Sequence, residues 1–361
     1  MNLNNLLTAL IIGLFSIVSC HKEEPARIPT TRTFRMGFQN SAPRVDNVNL
    51  FLQSLELWSQ RADAAMITTE VPWDSLYAGK PIPLYVIHNY QVLVNYYRSK
   101  NLKLWIYIDP QNGLNRASDA NALVARGKSI AQDDVQKLYR RFAVVMDSIL
   151  RPEHLGLALE TNLIRDASTL AIYSGVKKAA NDAAADVRAI DKTVKLSVSV
   201  QADYAWGRLL GNGTYVGIAQ DFTDFPFIEE LGISSYPYFD FSMPEEIPLD
   251  YYSKLMEGKS LPIFISEGGW TSATFTGPNK KLIEGNPASQ QNYITLQSKL
   301  LDKAQATAVF QLVFTDIDVS SLPSTIDPSI EYYSHLGLVD LNLQPKPSLK
   351  AWEDIFKRPL Q

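Results

Sequence analysis

The sequence predicts an α/β chain closed into a single (β/α)8 TIM barrel, and three observations predict it. Eight short apolar runs recur along the chain, longer segments with helical spacing fall between them, and 361 residues suit one large barrel as well as two ordinary domains. The runs, read as buried parallel strands, are Phe34–Gln39, Ala65–Thr69, Leu104–Asp109, Leu155–Glu160, Lys195–Val200, Leu231–Tyr236, Pro262–Glu267 and Ala308–Phe314. Helices are predicted over Val45–Arg61, Tyr85–Arg98, Asp133–Leu150, Ala167–Ile190, Ser289–Ala304 and Ser348–Phe356. The stretch 204–230, with Gly211, Gly213 and Gly217, has no clear periodicity. The competing fold, an open doubly wound sheet, needs a glycine-rich phosphate turn after the first strand. Gln39-Asn40-Ser41-Ala42-Pro43 is not one.

The N-terminus reads as an address. Leu6 to Val18 is apolar over a signal-peptide length, too short to span a bilayer comfortably. It ends in Ile17-Val18-Ser19-Cys20, which resembles a bacterial lipobox, although Met1–Asn5 carries no Lys or Arg. Cys20, the only cysteine, is thus the expected lipidation site. The competing reading is a buried N-terminal helix with a chance cysteine. His21-Lys22-Glu23-Glu24 resembles the surface-export signal of Bacteroides-group lipoproteins, and also reads as a solvated tether. The expected organisation is a signal peptide over 1–19, a flexible tether over 20–33 and one barrel domain over 34–361. The expected location is the outer membrane, exposed at the cell surface.

Composition narrows the chemistry. A net charge of −4 gives no electrostatic reason to expect nucleic acid, and the four histidines lack metal-ligand spacing, so neither a metal nor another cofactor is expected. Without a second cysteine the body has no disulfide and no thiol nucleophile. Seventeen tyrosines and six tryptophans suit sugar stacking, though aromatic rings also fill ordinary cores.

Barrel chemistry sits at the C-terminal ends of the strands. Reading those ends gives Glu70, Asp109, Glu160, Asp203, Glu267 and Asp316, with Trp73, Tyr236, Tyr238 and Trp270 nearby. No strand end offers the lysine of a Schiff-base enzyme or the histidines of a metal hydrolase. An acid-lined, aromatic mouth suits a neutral polyol. Gly268-Gly269 could cradle a phosphate, but Trp270 beside it argues for sugar. Glycoside hydrolysis needs two carboxyls flanking one bond. Across an eight-strand barrel of ~8 Å radius, strands four and seven lie roughly 14 Å apart, and two glutamates reaching ~4 Å each leave a gap of about 5–6 Å, the retaining range. Glu70 with Glu160 satisfies the same geometry.

The runs Leu155-Gly-Leu-Ala-Leu-Glu160-Thr-Asn162 and Pro262-Ile-Phe-Ile-Ser-Glu267-Gly-Gly-Trp270 resemble the clan A glycoside hydrolases. So do Gly232-Ile-Ser-Ser-Tyr236-Pro-Tyr238 and the tail from Leu336-Gly-Leu338 through Gln344-Pro-Lys-Pro347 to Ala351-Trp352. The resemblance implies a retaining glycosidase with Glu160 as acid/base and Glu267 as nucleophile. It implies further that Tyr236 orients Glu267, and that either Asn162 holds a sugar hydroxyl or that contact is lost. On the hydrolase reading Trp270 and Phe314 form sugar platforms, Asp109, Asn162, Gln201 and Asp203 hydrogen-bond hydroxyls, and Glu70 and Trp73 border the mouth. The chain departs from the clan in having Leu159 where Asn usually precedes the acid/base, no Arg on strand two, and Phe314 where Trp is common on strand eight. As acid, Glu160 must hold a proton, which an apolar Leu159 and an ionised Glu267 both favour. The expected partner is carbohydrate, met by a monomer. Two other readings share most of these features: a non-catalytic, surface glycan-binding lipoprotein, and a barrel scaffold for protein contacts.

Overall fold

The predicted apolar runs become strands buried on both faces. The computed structural model describes residues 29–209 and 213–361. The expected signal peptide, Cys20 and most of the tether lie outside the described residues. The strands are β1 (Arg35–Gln39), β2 (Ala64–Glu70), β3 (Lys103–Asp109), β4 (His154–Gly156), β5 (Lys195–Gln201), β6 (Glu230–Ser235), β7 (Ile263–Gly268) and β8 (Ala308–Gln311). Each pairs in parallel with its sequence neighbours, and β8 pairs back onto β1, so the expected (β/α)8 barrel is the observed fold.

Side chains along a strand point alternately to the two faces of the sheet. The outward set, with Phe38, Ile67, Ile106, Val198 and Ile265 among it, packs under the helical layer. The inward set is a separate cluster of Ala64, Met66, Trp105, Tyr107, Leu159, Phe264, Ala308 and Phe310. Tyr107 lies across the barrel axis, its hydroxyl accepting from Ser197 Oγ at 3.0 Å. Glycine is required beside it: a Cβ at Gly156 would sit 2.2 Å from the Tyr107 ring, and one at Gly232 would sit 2.3 Å from its hydroxyl. At the N-terminal base of the barrel, His154 stacks on Trp105 with centroids 3.6 Å apart and holds buried Glu230 at 2.8 Å.

Helices fall where the periodicity predicts them, with shifted ends. The predicted Ala167–Ile190 helix breaks at Ser168, because Thr169 caps a new helix over Leu170–Ile190 by accepting from the Ile172 amide. Its alanines 179, 180, 183 and 184 form a narrow buried face, which lets it pack closely against Asp133–Leu150. The predicted Tyr85–Arg98 helix begins earlier, at Ile82, and carries a π-turn over Ile87–Gln91. Within 204–230, short helices cover Ala202–Ala205 and Ala219–Asp224.

Candidate active site

Two local irregularities bring Glu160 and Glu267 into the mouth. Regular pairing ends at Gly156 in β4, and Glu160 takes the left-handed conformation (φ 48°, ψ 47°) before the helix Thr161–Ala167. A non-glycine residue there costs roughly 1–2 kcal/mol, the kind of local strain that collects at functional sites. On β7, Phe264 points inward and Ile265 outward, so strict alternation would turn Glu267 away from the barrel axis. The register against β6 slips at this point: Ile233 pairs with Ile265, but Ser234 pairs with Glu267, which leaves Ser266 as the extra residue of a bulge. The bulge returns Glu267 to the inward face.

The carboxyls meet around Ser234. Its hydroxyl donates to Glu160 Oε1 at 2.6 Å. The other oxygen of Glu160 accepts from Arg116 Nε at 2.8 Å, and its backbone amide donates to Ser199 Oγ at 3.0 Å. Arg116 is itself buried, and its Nη1 lies 2.6 Å from Asp109 Oδ2. Glu267 has no cation of its own. Gln39 Nε2 donates to the Ser266 carbonyl at 2.9 Å and reaches Glu267 Oε2 only at 3.5 Å. Burial first, and the charge of Glu160 second, push the Glu267 carboxyl up to about 7. Tyr236 and Tyr333 both feel the charge of the two glutamates, and their rings meet edge-on at 5.0 Å. Among the described residues no hydrogen bond runs from the Tyr236 hydroxyl to Glu267. At the rim, Glu70 is exposed and accepts from the Gly113 amide at 3.1 Å.

Several expected binding residues serve the scaffold instead. Asn162 is fully buried; it donates to the Gln201 carbonyl and accepts from the Gln201 and Leu163 amides, so it does not stand in for the missing Asn before Glu160. Gln201 donates to Asp203 and caps the Tyr204 amide. Asp203 also accepts from the Tyr236 amide and the Tyr251 hydroxyl, and burial pushes its carboxyl up to about 6. Asp109 has both oxygens occupied, by Arg116 and by the Gln111 amide. The aromatic platforms also need correction. Trp270 is fully buried against Tyr293, Phe314 meets Phe38 edge-on at 5.2 Å in the outer core, and Trp73 is 1% exposed, so none presents a face to a sugar. The half-buried ring beside both carboxyls is Tyr333, from the loop after β8. Leu159 lies in the inward cluster below the mouth, so the expected apolar wall is present.

No protein-family model matches the chain, and no curated protein sequence does. Solved structures do match. A β-glucosidase from Thermotoga maritima superposes with a TM-score of 0.60 at 12% identity, over 88% of each chain. An exo-β-1,4-mannosidase from Opitutaceae bacterium strain TAV5 gives 0.64 at 14% identity, over 91% of this chain and 60% of that one. A β-glucuronidase from Ruminococcus gnavus gives 0.57 at 11% identity, over 90% and 50%. At these identities the likeness establishes a shared glycosidase-type barrel fold. The solved neighbours act on different sugars, so the likeness itself points to no single one.

Proposed function

We propose that the chain is a retaining glycoside hydrolase acting on an oligosaccharide or polysaccharide, with Glu160 as acid/base and Glu267 as nucleophile. One observation carries the reading: two glutamates, one on a left-handed turn and one on a bulge, both face the mouth, close enough that the charge of Glu160 bears on Glu267. The fold shared with three glycosidases supports it. In the first step the Glu267 carboxylate bonds to the anomeric carbon while the glycosidic bond breaks and the leaving oxygen takes the proton of Glu160. In the second, water bonds to the anomeric carbon, gives its proton to Glu160 and releases Glu267. Tyr333 and Glu70 are the polar groups placed to border the sugar.

One observation favours the alternative of a barrel that binds glycan without cutting: both oxygens of Glu160 are already taken, by Arg116 and Ser234. A panel of glycans screened for released reducing ends separates the two. Release with retained anomeric configuration supports the hydrolase, and binding without release supports the alternative. The outer-membrane location belongs to the same proposal. Cys20→Ser is expected to abolish partition of the chain into detergent, and unchanged partition contradicts lipid anchoring.

A further inference from the structure

The mouth holds three buried or nearly buried carboxyls and one buried cation. Arg116 reaches two of them, Asp109 at 2.6 Å and Glu160 at 2.8 Å. Each oxygen of Asp109 and each oxygen of Glu160 accepts from a donor in the protein. A guanidinium beside a carboxyl favours its charged form, so these two are the carboxyls that Arg116 favours as carboxylates. Glu267 is the third. Its one side-chain donor is a distant amide, and among the described residues no cation pairs with it. A second uncompensated charge a few ångströms from Glu160, out of water, is unfavourable. The remaining charged or titratable groups that face the pair are Tyr236 on β6, Tyr107 on β3 and Tyr333 after β8, and burial pushes all three phenols up, so none supplies a charge.

We infer that Arg116 is a positioning residue that decides which glutamate holds the proton of the pair, and that in the free protein it leaves this proton on Glu267. The inference rests on the hydrolase reading for its consequence but not for its truth. That reading needs the opposite placement at the start of the first step, with the proton on Glu160 and the charge on Glu267. The contact instead matches the glycosyl-enzyme, in which Glu267 is an uncharged ester and Glu160 a free carboxylate. Arg116 therefore favours the covalent intermediate over the free enzyme. It helps Glu160 give up its proton in the first step and makes Glu160 a weaker base in the second. The substrate's arrival must shift the proton from Glu267 to Glu160, through Ser234 or by moving Arg116.

Neutron diffraction from deuterium-exchanged crystals of the protein at pH 6 tests the placement directly and needs no turnover. A deuteron on a Glu267 oxygen and a bare Glu160 are expected. A deuteron on Glu160, or none on either, overturns the inference. In Arg116→Met the deuteron is expected on Glu160, while Arg116→Lys, which keeps the charge, is expected to leave it on Glu267. If Arg116→Met also leaves it on Glu267, Arg116 does not set the placement. Where a glycoside is cleaved, Arg116→Met is expected to speed the second step about tenfold by making Glu160 a stronger base, and an unchanged second step contradicts the role. A deuteron on Glu267 in a protein that cleaves nothing would keep the placement and remove the hydrolase. A deuteron on Glu160 in an active enzyme would do the reverse.

Discussion

The two ends of the barrel solve the problem of buried acid differently. At the base, Glu230 is almost wholly buried, and burial pushes its carboxyl up, but His154 holds it at 2.8 Å and Trp105 lies flat on the far side of that ring. At the mouth, one guanidinium is divided between Asp109 and Glu160, and Glu267 is left over. At the base the buried carboxyl has a hydrogen-bonding partner of its own, which a fold needs for stability. The mouth is short by one cation, and a shortage sets two carboxyls competing for one proton. That is the condition for acid–base work and a cost to stability. A cavity of about 800 Å³ also opens near the base, lined by Asp147, Glu153, His154, Asp191 and others. It brings no second carboxyl against a sugar-sized site at the strand C-termini, where barrel chemistry occurs.

The largest effect that sharpens this contrast is at the mouth. Glu267→Ala is expected to lower kcat by roughly 10⁴-fold or more with little change in the melting temperature, and azide is expected to restore part of the rate by attacking from the vacated side. At the base the same logic predicts the opposite. His154→Ala leaves Glu230 buried without its partner and is expected to cost about 3 kcal/mol of stability, read by denaturant unfolding, with the rate per folded molecule unchanged. A loss of rate there would mean that the two ends are coupled.

Smaller effects follow from Ser234 and from pH. Ser234→Ala removes the hydroxyl donor to Glu160 and is expected to lower kcat/KM about tenfold while the fold holds. Glu267, raised to about 7, and Asp203, raised to about 6, keep protons in the folded chain that the unfolded chain has already released. The folded state thus binds more protons between about pH 4 and 7, and stability should fall as pH rises through that window. Glu267→Gln is expected to flatten the fall and to stabilise the protein by ~1–2 kcal/mol above pH 7. A pH-independent unfolding free energy would contradict the charge shortage at the mouth. The smallest effect belongs to Asp147, a buried carboxyl in the helix Asp133–Leu150 with one oxygen unpartnered, which burial pushes up to about 6. Asp147→Asn is expected to change stability at pH 5 by less than about 0.5 kcal/mol, since the group is already neutral there.

Much of this was legible from composition and spacing, and the limits have physical causes. Eight apolar runs of strand length could be read because parallel strands are buried on both faces. Glu160 and Glu267 could be placed near strand ends, but the devices that aim them could not. A bulge at Ser266 and a left-handed turn at Glu160 leave no mark on hydrophobic periodicity, although the strand reading Leu155–Glu160 ran four residues past the true end of β4. Trp270 and Phe314 were read as platforms because an aromatic at a strand end has the same sequence signature facing a sugar as facing a core. Arg116 was invisible for a different reason. It lies in the irregular loop after β3, seven residues beyond Asp109, where no periodicity says which way a side chain turns. The same holds for Tyr333 in the loop after β8.

The most direct test of the central claim is intact-mass measurement of Glu160→Ala incubated with activated aryl glycosides, whose leaving groups need no proton. With Glu267 as nucleophile, the first step proceeds, the second is slow without its base, and a single glycosyl adduct accumulates that peptide mapping places on Glu267. Absence of any adduct across a broad panel, or an adduct on another residue, contradicts the account.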